Sequence, residues 1–92
     1  MVENLYPQSS RIEVELEQKL SNKGFSLMEF EPSSYTVKYG GYDFYCLVFM
    51  PDNTYTPYVT WYVNGTDLST SSGHYFSSEE DARRDFNKRV KS

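Results

Sequence analysis

The spacing of apolar residues changes from four to two and back to four along this chain, and this change limits the folds open to it. A spacing of four places residues on one face of a helix, and a spacing of two places them on one face of a strand. Two segments near the ends have the helical spacing: Ile12, Leu16, Leu20, and Ala82, Phe86, Val90. The sequence therefore predicts a helix at each end with strands between them.

The first apolar stripe predicts a helix over roughly residues 10–22. Ser10 is expected to cap its first turn, with Glu13 reaching back to complete a capping box. Gly24 supplies the left-handed residue that commonly ends a helix, and Phe25 follows where a contact back to the last turn is expected. Residues 1–9 are interpreted as a loose lead-in, and residues 10–92 as a single domain.

The last helix is predicted from its cap and from the order of its charges. Ser77 and Glu80 match a capping box, and Ser78 is a rival cap one residue later. Acidic residues fill the first turn over 79–81, and basic residues follow, which is the order that the helix dipole favours. These charges are explained by helix stability alone and require no catalytic role.

Between the helices, alternating segments predict three or four antiparallel strands. Gly40-Gly41 and Asn64-Gly65 are predicted hairpin turns, 66–73 a surface loop, and 74–76 a last short strand. The predicted strands are GFSLMEF (24–30), SYTVKY (34–39), YDFYCLVFM (42–50) and YVTWYV (58–63). We expect an α+β two-layer sandwich of order α-β-β-β(-β)-α, with both helices on one face of an antiparallel sheet. The predicted core contains Leu16, Leu20, Phe44, Cys46, Val48, Trp61, Phe86 and Val90.

Composition restricts the setting of the protein. The net charge is −4 and the sequence pI is about 4.8, so the molecule as a whole repels nucleic-acid phosphates and suits a basic partner. Cys46 is the only cysteine, which excludes an internal disulfide. The N-terminus has no basic and apolar leader, and no window approaches 18 apolar residues. These features predict a cytoplasmic protein that makes no contact with membranes.

Residues suited to catalysis or metal binding are few. His74 is the only histidine, and Cys46 lies within an apolar run that raises the pKa of a thiol. No paired His or Cys spacing and no phosphate-cradling glycine loop are present in the sequence. We therefore expect a protein that is not an enzyme and that holds no metal or cofactor.

Tyrosine is the residue type that most favours a binding role. The chain has nine tyrosines, several of them in or beside the predicted sheet, and tyrosine provides contact area and a hydrogen bond at low entropic cost. Carboxylates near them favour a basic partner, with Glu13 and Glu17 as further contributors. The candidate partner-binding residues are Tyr35, Tyr39, Tyr42, Tyr45, Tyr58, Tyr62, Glu29, Glu31 and Asp43.

The order of helix, three strands and helix over roughly residues 10–90 resembles the double-stranded-RNA-binding domain. That family starts its second helix with lysines that grip phosphates. This chain has serines at 77 and 78 and acids over 79–81 at that place, so the opposite charge stands on the functional residues. The resemblance therefore implies a topology and no RNA-binding role.

GHYFSSEEDARRDFNKRV (73–90), with Trp61 before it, is similar to the endings of small proteins from phages and mobile elements of Gram-positive bacteria. Such proteins are often non-catalytic accessory factors, and some inhibit host defences, as anti-CRISPR proteins do. The resemblance implies a phage or mobile-element setting; together with the acidic charge and the tyrosines, it predicts an inhibitor that occludes a basic surface of a host nucleic-acid-binding protein. Two alternatives stay open: binding of RNA or single-stranded nucleic acid, and self-association through the tyrosines, for example as a homodimer. In the nucleic-acid alternative, sheet tyrosines stack on bases and four basic side chains meet phosphates: Arg83, Arg84, Lys88 and Arg89.

Overall fold

A computed structural model describes residues 7–92, with side chains from Ser10 onward. These residues form three helices and one four-stranded antiparallel sheet, so the predicted α+β class and the order of helix, strands and helix are confirmed. The elements are α1 (Pro7–Ser21), β1 (Ser26–Pro32), α2 (Ser34–Tyr39), β2 (Asp43–Phe49), β3 (Tyr58–Asn64), β4 (Thr70–Phe76) and α3 (Glu79–Lys91). No helix in this part of the chain has the length and apolar character needed to cross a membrane.

The sheet is a meander in which each strand pairs with the next one in the chain. Its order is β1-β2-β3-β4, so β1 and β4 are the edge strands. Cys46 lies opposite Phe30 on one side and Trp61 on the other, which places the three on one face. Leu47 and its neighbours Glu29 and Thr60 lie on the other face.

The two long helices lie on opposite faces of this sheet, which corrects the expected two-layer arrangement with both on one face. The α1 stripe packs with Phe44, Cys46 and Val48, whereas Phe86 of α3 packs with Leu47. Adjacent residues of a strand point to opposite faces, so burial of both Cys46 and Leu47 requires a cover on each side. The predicted core is otherwise confirmed, with Trp61 and Val90 only half-buried.

Helix α1 begins at Pro7, three residues before the predicted cap at Ser10. Proline is favoured at the first helical position because its missing N–H needs no partner there. The predicted end is confirmed: Gly24 is left-handed, with φ of 81°. The Phe25 amide donates to the Leu20 carbonyl at 2.9 Å, and the Phe25 ring packs against the α1 core.

The segment SYTVKY, predicted as a strand, is the short helix α2. The Ser33 side chain accepts a hydrogen bond from the Thr36 amide at its start, and Gly40 ends it with φ of 76°. The prediction was wrong because Tyr, Thr and Val favour strands and alternate here, while the serine before them and the glycine after them are helix caps. Gly40 is thus a helix stop and no hairpin turn.

Strand β4 begins at Thr70, inside the segment 66–73 that was predicted as a loop. Ser72 has a positive φ of 55° at an irregularity in the pairing opposite Trp61. This bulge breaks the alternation of side chains between the two faces of the sheet. The small polar residues around it also lack the alternating apolar pattern by which a strand is recognised in a sequence. Helix α3 starts after Ser78, the rival cap, whose side chain accepts from the Asp81 amide at 3.1 Å.

Candidate protein-binding surface

The short helix α2 and the residues after it contain several half-exposed apolar and aromatic side chains. Their exposed fractions are 59% for Tyr35, 50% for Val37, 64% for Tyr39 and 48% for Tyr42. We call these four residues the tyrosine surface; Tyr35 and Tyr39 lie on one face of α2, Val37 lies on another side of it, and Tyr42 follows the helix. Grouped exposure of this kind, unlike single exposed apolar residues, marks an interaction site in many proteins.

A buried polar centre holds α2 in place under this surface. The Thr36 hydroxyl donates to the Asp43 carbonyl and accepts from the Asp43 amide, both at 2.8 Å. The Ser33 hydroxyl donates to the Thr36 hydroxyl oxygen at 3.2 Å. Because Thr36 and Ser33 are both buried, these bonds fix α2 to the first residue of β2.

Two rings of the tyrosine surface contact each other. Tyr35 and Tyr39 are four residues apart on α2, and their ring centroids lie 4.9 Å apart at an angle of 49°. The Lys38 ammonium lies 5.4 Å from the Tyr39 ring centroid. Contact between the rings restricts their rotamers before a partner arrives, which lowers the entropy lost on binding.

We expect Thr36→Val to lower the free energy of unfolding by about 1–3 kcal/mol, because the Asp43 amide loses its acceptor and stays part-buried. Chemical denaturation measures this loss. Thr54→Val is the matched control, since Thr54 is exposed in the β2–β3 connection. Equal stability of Thr36→Val and the wild type would show that Thr36 does not anchor α2.

The three other predicted tyrosines lie apart from this surface, on the sheet face that α3 covers. Tyr45 and Tyr58 are half-buried against the α3 cluster, which consists of the buried residues Leu47, Ala82 and Phe86. The Tyr62 hydroxyl donates to the Asp43 carboxylate, and this bond, with partial burial, raises the pKa of Tyr62 to about 12. These tyrosines serve packing and internal hydrogen bonding.

The candidate carboxylates divide into two groups. Glu29 binds Arg83 at 2.5 Å, and Asp43 accepts from Tyr62, so both have partners within the fold. Glu31 is exposed and makes no ion pair with any described residue, and the same holds for Glu13 and Glu17. We call Glu13, Glu17 and Glu31 the acidic surface.

The members of the acidic surface repel one another. Partial burial raises the pKa of Glu13, and the charges of Glu17 and Glu31 raise it further. Glu31 is the member that comes nearest in sequence to the tyrosine surface, two residues before Ser33, the cap of α2. Negative charge without a cationic partner among the described residues is thus concentrated around Glu13.

We expect Glu13→Gln to raise the free energy of unfolding at neutral pH by about 0.3 kcal/mol, the typical cost of a like-charge pair four residues apart on a helix. Because the pKa of Glu13 is raised in the folded state, the repulsion is lost as the pH falls through that pKa. Denaturation of both proteins at neutral pH and below the ordinary pKa of 4.5 checks this. A stability gain that persists at acidic pH would contradict the electrostatic cause, and Glu15→Gln serves as the control on the same helix.

The arginines that the nucleic-acid alternative requires are already engaged. Arg83 binds Glu29 and Glu79, and Arg84 binds Asp81 at 2.8 Å. The Arg89 guanidinium donates to Thr60 at 3.1 Å and lies 4.9 Å from the Tyr45 ring centroid. Neither Lys88 nor Arg89 makes an ion pair in the described part of the chain.

The residues considered for catalysis, His74 and Cys46, are engaged in contacts within the fold. His74 lies on the edge strand β4, where its Nδ1 contacts the Asp85 carboxylate at 3.0 Å, and Asp85 accepts from the buried Thr60 hydroxyl at 2.6 Å. Cys46 is fully buried, and burial raises the pKa of its thiol to about 12, as the apolar run predicted. Among the described residues, no three His, Cys, Asp or Glu side chains are grouped to hold a metal ion.

Comparison with known proteins adds no family to this geometry. No protein-family model, curated protein or solved structure matches the chain. The candidate surface therefore rests on the arrangement of its own side chains. Sequence reasoning missed the residues that build it, Ser33, Thr36 and Gly40, although the serine before and the glycine after the segment are cap signals.

Proposed function

We propose that this chain is a non-enzymatic protein-binding module that uses its tyrosine surface to bind a partner with a basic surface. The observation that carries the proposal is the set of half-exposed side chains on α2, which the Thr36 bonds hold in place. Tyrosines of this kind serve as anchors in protein interfaces because they bury a large area with few rotatable bonds.

The chemistry of the partner is inferred from charge. The acidic surface has no cationic partner among the described residues, and the whole chain has a net charge of −4. A basic partner would relieve the repulsion around Glu13 and would be attracted at long range. Direct nucleic-acid binding is less well supported, because the arginines of α3 are paired within the molecule.

A finer proposal concerns the biological setting. The similarity of residues 73–90 to phage and mobile-element proteins supports a role as a cytoplasmic inhibitor. Its partner would be a host defence protein whose basic nucleic-acid-binding surface it occludes. Competition tests this proposal: the chain should displace nucleic acid from such a partner, and the displacement should weaken as salt is raised.

The experiment that tests the binding surface compares two variants in affinity capture from a bacterial lysate, with and without nuclease. Tyr35→Ser with Tyr39→Ser removes the ring pair of α2. Tyr55→Ser is the matched control, because Tyr55 is 86% exposed but lies in the β2–β3 connection. We expect the wild type and the control to retain a basic protein after nuclease treatment, and the double variant to lose it.

Two outcomes would refute the proposal. Capture that depends on intact nucleic acid would favour the alternative in which the chain binds RNA or single strands directly. Equal capture by the double variant and the control would move the contact away from α2. Circular dichroism of each variant establishes that the fold is intact before capture is compared.

A further inference from the structure

The two edge strands of the sheet differ in their protection against pairing. Strand β1 contains Glu29 and Glu31 and ends at Pro32, and charges and proline on an edge prevent the addition of another strand. Strand β4, TSSGHYF, has no Asp, Glu, Lys, Arg or proline. No described strand pairs with its outer side. Among the described residues, β4 beyond its bulge at Ser72 is therefore the less protected edge of the sheet.

The sheet face beside this edge is only partly covered at Trp61 and Tyr75. On that face α1 packs mainly against β1, at the opposite edge. Tyr75 of β4 is 51% exposed, and Trp61 beside it is only half-buried. Their rings meet edge to face, with centroids 6.5 Å apart at 89°.

Gly73 allows this aromatic pair to form. A Cβ atom at Gly73 would lie 2.8 Å from Trp61 Nε1 and 2.9 Å from the Tyr75 ring, too close for any other residue without a shift. The indole of Trp61 therefore lies across the backbone of β4. An apolar surface thus reaches the outer edge of the sheet.

We propose that β4 is a homodimer interface, at which β4 of a second copy adds antiparallel to β4 of the first. Pairing beyond the bulge at Ser72 would use residues 73–76 and would join two four-stranded sheets about a twofold axis. An axis normal to the sheet keeps both aromatic pairs on the same face, where they adjoin across the seam.

The distribution of charge favours a second copy of this chain as the molecule that pairs with β4. Two copies with a net charge of −4 repel each other at most surfaces, whereas β4 itself has no Asp, Glu, Lys or Arg, and the Asp85 carboxylate that contacts His74 from α3 is only 20% exposed. A basic partner gains no such advantage at this edge, because β4 has no acidic side chain and the neighbouring Asp85 is already bonded to His74 and Thr60. The interface is separate from the tyrosine surface and does not depend on the proposed function.

Sedimentation equilibrium over a range of concentrations, with Tyr75→Lys and Tyr55→Lys as matched variants, tests this inference. A lysine at 75 places two positive charges near each other across the twofold axis, so we expect the dimer dissociation constant to rise at least about tenfold. Tyr55→Lys should dimerise like the wild type, because Tyr55 lies in the β2–β3 connection. Amide hydrogen exchange over 73–76 should slow as the concentration of the wild type rises.

Three results would overturn the inference. A wild-type chain that stays monomeric up to about 1 mM would show that β4 does not form a specific dimer. Equal dissociation constants for Tyr75→Lys and Tyr55→Lys would remove β4 from the contact. Loss of the dimer in the Tyr35→Ser, Tyr39→Ser variant alone would place self-association on the tyrosine surface instead.

Discussion

Replacing Phe86 with alanine is expected to lower the free energy of unfolding by about 3–5 kcal/mol. The ring is only 3% exposed and packs with Leu47 and Ala82, the other two buried members of the α3 core. Removal of the ring leaves a cavity that the surrounding side chains fill only in part, which adds to the lost burial. Chemical denaturation at neutral pH measures the loss.

Phe76→Ala is the matched control for this prediction. Phe76 packs against the same core but is only half-buried, so its truncation should cost clearly less than that of Phe86. A loss below about 1 kcal/mol for Phe86→Ala would mean that α3 does not depend on this ring for its attachment.

The second large effect is expected at alkaline pH. The thiol of Cys46 has an ordinary pKa of 9.0, which burial raises to about 12 in the folded state. Above pH 9 the unfolded chain loses this proton while the folded chain keeps it, so the unfolded state is favoured as the pH rises. The stability contributed by the neutral thiol is complete below pH 9 and is lost between pH 9 and 12. The total is roughly 4 kcal/mol, at about 1.4 kcal/mol for each pH unit.

Comparison of the wild type with Cys46→Ala isolates this effect. The variant should be less stable at neutral pH, because a buried side chain is shortened, yet its stability should fall less steeply above pH 9. Tyr62→Phe should flatten the remaining slope, since the pKa of Tyr62 is raised to about 12 by the same linkage. Parallel pH profiles for the wild type and Cys46→Ala would show that the buried thiol does not control the alkaline transition.

The long helices could be predicted because their information is local. A four-residue apolar stripe and a glycine stop act within one or two turns, and Gly24 ends α1 as its position indicated. The face that each helix covers is not local information. Strand β2 is buried on both sides, at Cys46 and at Leu47, and such a run is compatible with helices on one face and rings on the other.

The residue types of the candidate site could be predicted from the sequence, but their arrangement in the fold could not. Tyr35 and Tyr39 were expected on a strand, where alternation would also place them on one face. They share a face because four residues make about one turn of α2. The caps at Ser33 and Gly40 favour the helix locally, and the bonds from Thr36 to Asp43, which form only after the chain has folded back, fix it in place. No local pattern contains that contact.

The division of the core by the sheet has a consequence for motion in the native state. On the α1 side ten buried residues form one cluster, whereas Leu47, Ala82 and Phe86 are the only buried members of the α3 cluster among the described residues. Elements with fewer buried apolar contacts open at lower free energy than the whole molecule. Helix α3 should therefore detach as a unit while the sheet and α1 persist. Its amide protons would exchange through this partial opening, and a protease would cut there before global unfolding.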